Sequence, residues 1–394
     1  MEGLPLRFNR SLSLAFIFCI LVALALAKVQ INNKADREGL FVLKGTNGAW
    51  LEITDDIFPE EVDRLLWEQP FDWFEDSIES GDCTPTDKAC LSFEWNKTAG
   101  RGFIKTVYPD GKKLLICLGR FVNSTSHRPA RGLFIGGNLP AEDPDSQIFN
   151  KNESGMAYYD GRRYFHIWCN VNEALYAGDQ AMQPIFPSAW DFLGSQILES
   201  GPQGITLQSR HRAITRTGSF TILKTFRYHT GNTYFTLATK ITNSGAGPTS
   251  FIYSYGDEPW LGNFGTSIGN VGWLKDRLVL HELWIDTSTN SFAGMFDHGN
   301  PILGEQQADY TGKANFIEWQ NDSRPERAFF SNTDGIPVFS GKTLLNSPDS
   351  RFIGLRWGPR NLAPGQSFDT ILAIGMAGTH PQSGLPLKPA TGLN

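Results

Sequence analysis

The stretch YSYGDEPWLGNFG, residues 253–265, joins two carboxylates, a tryptophan and several glycines at the end of a strand-like run. Carboxylates accept paired hydrogen bonds from neighbouring hydroxyl groups, and the face of a tryptophan packs on apolar C–H groups. Asp257, Glu258 and Trp260 therefore have the chemistry needed to contact a polyhydroxylated ligand such as a saccharide.

The order of Asp257 and Glu258 along the strand limits that interpretation, because adjacent residues of a strand point to opposite faces. Both can address one ligand only if Gly256 and Pro259 interrupt the strand. In the alternative, structural interpretation, a carboxylate pairs with an arginine and Trp260 covers the end of the sheet. Both interpretations stay open.

Two histidines, His211 and His229, lie in predicted strands or turns and have side chains that can act as acid or base near pH 7. Neither has a visible catalytic partner, and a lone histidine of this kind is more often structural or exposed. The basic residues Arg210, Arg212 and Arg216 either form a solvated strand face or recognise an acidic sugar through their guanidinium groups.

The N-terminus has the pattern of a secretory signal peptide. Arg7 and Arg10 precede an apolar run over 14–26, and the small-residue pair Ala25 and Ala27 stands at its end. We expect cleavage after Ala27 and a secreted or periplasmic mature chain. No later run reaches the roughly 20 apolar residues of a transmembrane helix, so we expect no membrane span in the mature chain.

Four cysteines follow the signal peptide, and an even number in an exported chain predicts disulfides. Cys83 and Cys90 flank a short loop, whereas Cys117 and Cys169 lie in strand-like runs, so we favour pairing 83 with 90 and 117 with 169. The alternative is a metal site, but no CxxC pair or HExxH helix accompanies these cysteines. We therefore predict no metal and no cofactor.

Composition excludes some partners and indicates a fold class. A net charge of −6 without a basic stripe argues against nucleic acid or an anionic membrane as partner. The chain contains 40 glycines, 22 prolines, 28 phenylalanines and 11 tryptophans, which is typical of many short strands joined by tight turns.

The chain pattern favours a mainly all-β protein with one early helix. Asp56 can cap the segment FPEEVDRLLWEQ, which Pro70 closes. Later, turn signals between strand-forming runs predict antiparallel hairpins at 108–113, 158–163 and 228–233. Between 219 and 228, apolar residues recur at even positions, which is the period of a half-buried strand.

From these patterns we expect four parts. They are a signal peptide over 1–27, an N-terminal extension with one helix over 28–90, a large antiparallel β-sandwich domain over 91–378 and a flexible tail over 379–394.

Three segments follow one another along the chain. They are the strand pair FTILKTFRYHTGNTYFTLATKITN, the strand that rises to YSYGDEPW, and RFIGLRWGPRNLAPGQSFDTILAIGMA. Their order resembles that of the galactose mutarotase-like supersandwich over roughly residues 200–376. The resemblance implies a large antiparallel β-sandwich with a sugar cleft, as in aldose epimerases and as in domains of glycoside hydrolases and polysaccharide lyases.

The resemblance also implies that the strand ending in YGDE reaches this cleft, where the family has a catalytic histidine that this chain lacks. The family's glutamate base should fall within SRFIGLRWGPRNLAPG, which contains no carboxylate. Sugar ring opening needs both a base and an acid, so we do not expect ordinary mutarotase activity. The implied carbohydrate-binding residues are Tyr255, Asp257, Glu258, Trp260, Asn263, Trp273 and Arg356.

Three functions remain open at this point. The first is a secreted carbohydrate-binding or carbohydrate-processing protein with a saccharide as its partner. The second is a structural or interaction protein of the cell envelope or extracellular matrix. The third is a polysaccharide lyase-like enzyme with a Tyr or His base beside an Arg or Asn. Convergence of Asp257, Trp260, Trp273 and an arginine on an open cleft would favour the first or the third, whereas burial of these residues would favour the second.

Overall fold

The structure is a computed structural model, which describes the following residues: 30–31, 41–44, 50–53, 77–80, 83–119, 130–135, 155–162, 164–168, 171–177, 184–257, 259, 261, 270–275, 277–297, 312–332, 343–345 and 351–394. The predicted signal peptide over 1–27 and the predicted helix between Asp56 and Pro70 lie outside the described residues. None of the described segments forms a helix long and apolar enough to cross a membrane.

The chain divides into two compact units, Met1–Phe71 and Asp72–Asn394. The described part of the first unit is a three-stranded antiparallel sheet with the order β1 (Gln30–Ile31), β2 (Phe41–Lys44) and β3 (Trp50–Ile53). The division at Phe71 precedes the boundary after Cys90 that the sequence led us to expect.

The described part of the second unit contains three antiparallel sheets, whose strands are numbered in chain order. The six-stranded sheet has the order β4 (Ser77–Glu79), β5 (Cys90–Asn96), β6 (Arg101–Val107), β7 (Lys113–Leu118), β8 (Gly155–Tyr159) and β9 (Tyr164–Trp168). The five-stranded sheet has the order β10 (Val171–Ala177), β15 (Thr249–Asp257), β22 (Phe352–Leu362), β21 (Arg327–Ser331) and β18 (Leu283–Ile285).

The ten-stranded sheet has the order β11 (Asp191–Gly201), β12 (Gly204–Ile214), β13 (Ser219–His229), β14 (Tyr234–Asn243), β23 (Ser367–Thr379), β20 (Ala314–Trp319), β19 (Phe292–Asp297), β16 (Asn270–Leu274) and β17 (Arg277–Val279), with β24 (Pro386–Leu387) paired to β23. Short 3-10 turns at Pro187–Ala189 and Asn321–Ser323 are the helical elements among the described residues. The prediction of a mainly all-β chain with a large antiparallel sandwich is confirmed.

The predicted hairpins follow from turn glycines and alternating side chains. Gly111, Gly161 and Gly231 have φ values of 79°, 97° and 89°, a left-handed conformation that favours glycine, and they lie in the turns that join β6 to β7, β8 to β9 and β13 to β14. The even-numbered apolar residues of β13 are buried, as their period predicted. All three sheets contribute buried side chains to one hydrophobic core.

A second apolar cluster lies on the other face of the ten-stranded sheet. Trp273 of β16, Phe292 of β19 and Phe316 of β20 are buried there, and Leu393 of the C-terminal tail packs against them. Alternation places these residues opposite the main core, because the next residue of each strand faces the other way.

The tail over 379–394, which we expected to be flexible, is docked on this face through Glu318 of β20. Lys388 Nζ lies 2.9 Å from a carboxylate oxygen of Glu318, and Asn394 Nδ2 donates to the other oxygen at 3.2 Å. The hydroxyl of Thr391 also donates to Glu318. A buried carboxylate with three donors thus fixes the chain end.

Candidate functional site

The five-stranded sheet positions the predicted residues of strand β15. Tyr255 and Asp257 are 1% and 0% exposed and lie in register with inward-facing residues of β22. Burial, and then the negative charge of Glu173, raises the pKa of Tyr255 well above its usual value. Tyr255 and Asp257 therefore belong to the interior at this register, whereas Glu258, Trp260 and Asn263 lie outside the described residues.

Gly256 lies on the opposite, outer face of the same sheet. It is the Cα partner of Gly354 in β22. A Cβ atom on Gly256 would overlap the ring of Phe352, and one on Gly354 would overlap the ring of Phe329. The two aromatic rings thus cover the backbone at the positions where the resemblance implies an acid or a base, and a larger side chain at either glycine would displace a ring.

The next row along the outer face carries charged and aromatic side chains. Arg356 of β22 is the Cα partner of Ser254 in β15 on one side and of Arg327 in β21 on the other. The guanidinium carbon of Arg356 lies 5.2 Å from the ring centre of Tyr176 in β10, and that of Arg327 lies 5.6 Å from the ring centre of Trp284 in β18. We call Tyr176, Ser254, Arg356, Arg327 and Trp284 the arginine–aromatic stripe.

The stripe is accessible at its Trp284 end. Trp284 is 39% exposed, and together with Ile285, Glu326 and Arg327 it lines a depression of about 430 Å³. The edge of the Trp284 ring contacts Phe329, with ring centres 5.5 Å apart, which fixes the ring beside the sheet. An exposed indole next to a guanidinium presents an apolar face and hydrogen-bond donors to one ligand.

The one carboxylate that lines this depression among the described residues is already engaged. Glu326 accepts from Arg360 Nε at 2.9 Å and from the backbone N–H of Gly358 at 2.9 Å. Arg327 and Arg356 form no ion pair with a described residue. Burial lowers the pKa of Arg356 from its usual value, and the nearby positive charge of Arg327 adds to this effect, whereas Tyr176 opposes it.

The structure does not bring Trp273 to this site. Trp273 is 2% exposed in the cluster on the ten-stranded sheet, and its indole N–H donates to the backbone oxygen of Asn315 at 2.9 Å. Of the seven predicted carbohydrate-binding residues, Arg356 lies in the stripe. Sequence reasoning missed Tyr176, Arg327 and Trp284, whose strands are brought together by pairing between distant parts of the chain.

A group of ionisable residues in the core was also missed. Lys224 Nζ of β13 lies 2.5 Å from Glu173 Oε2 of β10, and the hydroxyl of Tyr253 in β15 donates to Glu173 Oε1 at 2.8 Å. All three side chains are buried. Burial lowers the pKa of Lys224, and the paired charge of Glu173 opposes that shift. The ion pair joins the five-stranded and the ten-stranded sheets across the core.

His211 is buried close to the same group. Its Nε2 lies 2.9 Å from Ser209 Oγ, and its ring packs against those of Phe134 and Trp190. Burial, and then the positive charge of Lys224, lowers the pKa of His211 to about 3. His211 is therefore a neutral core residue at pH 7 and has no contact with solvent through which it could serve as a surface acid or base.

The predicted disulfide between Cys83 and Cys90 is confirmed, with a Cα–Cα distance of 5.8 Å. Cys117 is buried in β7, but its expected partner Cys169 lies outside the described residues, so that pairing stays a prediction. Within the described segments, no three His, Cys, Asp or Glu side chains are grouped to bind a metal ion.

No protein-family model and no curated protein matches this chain. A solved structure assigned as an aldose 1-epimerase from Klebsiella pneumoniae is similar at 13% identity and a TM-score of 0.42, over 76% of this chain and 86% of that one. A galactose mutarotase-like protein from Clostridium acetobutylicum is similar at 9% identity and a TM-score of 0.36, over 75% of this chain and 100% of that one.

A GH36 α-galactosidase from Geobacillus stearothermophilus is similar at 10% identity and a TM-score of 0.33, over 71% of this chain and 40% of the enzyme. These likenesses concern the fold alone. The solved structures similar to this chain thus include aldose 1-epimerase and galactose mutarotase-like proteins, the group that the sequence resembles.

Proposed function

We propose that this protein is an exported carbohydrate-binding protein that contacts a saccharide with the arginine–aromatic stripe and lacks ordinary mutarotase chemistry. The observation that carries the proposal is the exposed indole of Trp284, held beside Arg327 above a depression on the outer face of the five-stranded sheet. The signal-peptide pattern and the Cys83–Cys90 disulfide support export to the periplasm or the cell exterior.

Burial of the ionisable residues favours binding over catalysis. A general acid or base must lie within hydrogen-bond reach of the substrate. Glu173, Lys224 and His211 are enclosed in the core, and Asp257 is fully buried. Glu326, at the edge of the stripe, is engaged by Arg360. The described part of the stripe therefore offers donors and aromatic faces but no carboxylate that is free to transfer a proton.

One contact favours a second candidate, a polysaccharide lyase-like enzyme. Tyr176 lies beside Arg356, and in such an enzyme a tyrosine removes the proton next to a uronate carboxylate while an arginine neutralises that carboxylate. The glycosidic oxygen then leaves and a carbon–carbon double bond forms. Incubation with acidic polysaccharides tests this candidate, because the double bond absorbs ultraviolet light.

A glycan array with the mature chain tests the binding proposal, followed by calorimetry of Trp284→Ala with the best-bound glycan of the array. Loss of a stacking platform should weaken binding about tenfold, which corresponds to roughly 1.4 kcal/mol. The matched control is Leu198→Ala, because Leu198 is 50% exposed on β11 of the other large sheet. Binding of no glycan would favour the structural or interaction protein instead, and unchanged affinity in Trp284→Ala would place the site elsewhere.

A further inference from the structure

Arg327 and Arg356 lie directly opposite each other on two neighbouring strands, and no described residue forms an ion pair with either of them. They are Cα partners in the ladder between β21 and β22, and both side chains lie on the outer face. Like charges directly opposite in a sheet are destabilising. Neither arginine forms an ion pair or a hydrogen bond with any described residue, whereas nearby Arg360 is paired with Glu326 at 2.6 Å.

The two guanidinium groups point away from each other along the stripe. Arg356 reaches across β15 to Tyr176 in β10, and Arg327 reaches the other way to Trp284 in β18. Each end of the stripe therefore pairs one aromatic face with one guanidinium. The stripe crosses five strands, so its length is four strand spacings, roughly 19 Å, which is several sugar rings.

The donor geometry of arginine selects the ligand. A guanidinium presents its N–H donors in a planar fork that matches a carboxylate or a sulfate, and the adjoining aromatic ring packs on the face of a sugar. The whole chain carries a net charge of −6, so it should not attract polyanions in general. Binding must come from each guanidinium and its adjoining aromatic ring.

We propose that the arginine–aromatic stripe binds an anionic oligosaccharide, with Arg327 and Arg356 each engaging an acidic group on a different sugar unit and Trp284 and Tyr176 packing on the rings. This inference rests on the proposed saccharide-binding function and specifies its ligand class. Carboxylate and sulfate share the required chemistry, and the experiment separates them.

Isothermal titration of the mature protein with four probes tests the inference. The probes are an oligogalacturonate, the same oligomer after reduction of its carboxyl groups, a sulfated oligosaccharide and a single-stranded DNA oligonucleotide. We expect at least tenfold tighter binding of the oligogalacturonate or the sulfated probe than of the reduced oligomer, with weaker binding as salt increases. The tighter of the two charged probes identifies the acidic group.

Substitution of the arginines locates the site. Arg327→Gln and Arg356→Gln should each weaken the preferred charged probe at least tenfold and change neutral binding less than twofold, and Arg356→Lys should be intermediate because it keeps the charge without the fork. The matched control is Arg210→Gln, because Arg210 is an exposed arginine on β12 of the ten-stranded sheet. Thermal unfolding of each variant checks that it is folded.

Four outcomes would overturn the inference. The protein could bind the neutral oligomer, with affinity lost in Trp284→Ala but not in the arginine variants. That result would support saccharide binding at the stripe and refute an anionic ligand. Loss in Arg210→Gln alone would move the anion site to the ten-stranded sheet. Equal affinity for DNA would show attraction by charge without sugar recognition. If neither an array glycan nor any probe binds, the proposed function fails as well.

Discussion

Replacement of Lys224 by methionine should strongly destabilise this protein, because it leaves a carboxylate alone in the core. Lys224 and Glu173 have side chains that are 0% and 1% exposed, and their charged atoms lie 2.5 Å apart. After the change, Glu173 keeps the hydroxyl of Tyr253 at 2.8 Å as its partner in the described group. Removal of one member of a buried ion pair costs about 3–5 kcal/mol.

The same geometry predicts how further substitutions recover stability. In Lys224→Met with Glu173→Leu, the uncompensated charge is gone and the hydroxyl of Tyr253 loses its acceptor, which leaves a cost of roughly 1–3 kcal/mol. Adding Tyr253→Phe removes that hydroxyl as well. The triple variant should therefore be within about 1 kcal/mol of the parent protein, because well-packed apolar residues often replace a buried ion pair without loss.

Urea unfolding followed by tryptophan fluorescence measures these free energies. Lys240→Met is the matched control, because Lys240 lies on the neighbouring strand β14, is 49% exposed and is 3.9 Å from Asp369. Such an exposed pair contributes about 0–1 kcal/mol. The reasoning is refuted if Lys224→Met loses no more than Lys240→Met, or if the double variant is less stable than Lys224→Met alone.

Three further outcomes are expected. The pKa of His211 is lowered to about 3 in the folded protein, whereas an unfolded histidine titrates near 6.5, so stability should fall by up to roughly 1.4 kcal/mol per pH unit as pH decreases from 6.5 towards 3. Urea titrations across this range should show a shallower decrease for His211→Gln, and an unchanged slope would contradict the assignment. Cys83→Ser should lower the free energy of unfolding by roughly 2 kcal/mol through the lost loop constraint, and reduction of the parent protein should have the same effect. Equal stability of the reduced and the oxidised protein would contradict this expectation. Glu318→Gln should cost about 1–3 kcal/mol and increase amide exchange over 380–394, whereas the exposed Glu199→Gln should change neither.

The sandwich could be predicted because its strands can be recognised from short segments of the sequence. The alternation of Phe220, Ile222, Phe226 and Tyr228 fixed the inward face of β13, and the glycine turns indicated its partner β14. The same pattern contained an overlooked signal. Lys224 occupies an even position of β13, like its inward-facing apolar neighbours. A charged side chain that points into the core requires a buried partner of opposite charge.

The position of the site could not be read in this way, because it depends on pairing between distant strands. Tyr176, Arg356 and Trp284 lie in different parts of the chain and meet through the order β10–β15–β22–β21–β18. Successive residues of a strand point to opposite faces of the sheet, so a shift of one position changes the face. Gly256 lies on the outer face, whereas its neighbour Asp257 points into the core. Single segments of the sequence therefore indicated side chains that can contact a sugar, but not the surface on which such side chains come together.

Charged residues occur in this fold in two situations with opposite effects on stability. Lys224 and Glu173 compensate each other in the core, so removal of either is costly. Arg327 and Arg356 are directly opposite Cα partners on the outer face of the sheet, where a like-charge pair costs roughly 0.2–1 kcal/mol. Removal of one of these arginines should therefore leave the folding stability unchanged or raise it. Such a destabilising pair has a functional explanation if a ligand supplies the opposite charge. Loss of folding stability in exchange for binding is a common trade-off at binding sites. A protein with Arg327→Gln that unfolds at the same or a higher temperature and binds the acidic oligosaccharide more weakly would show that this arginine serves the ligand and not the fold.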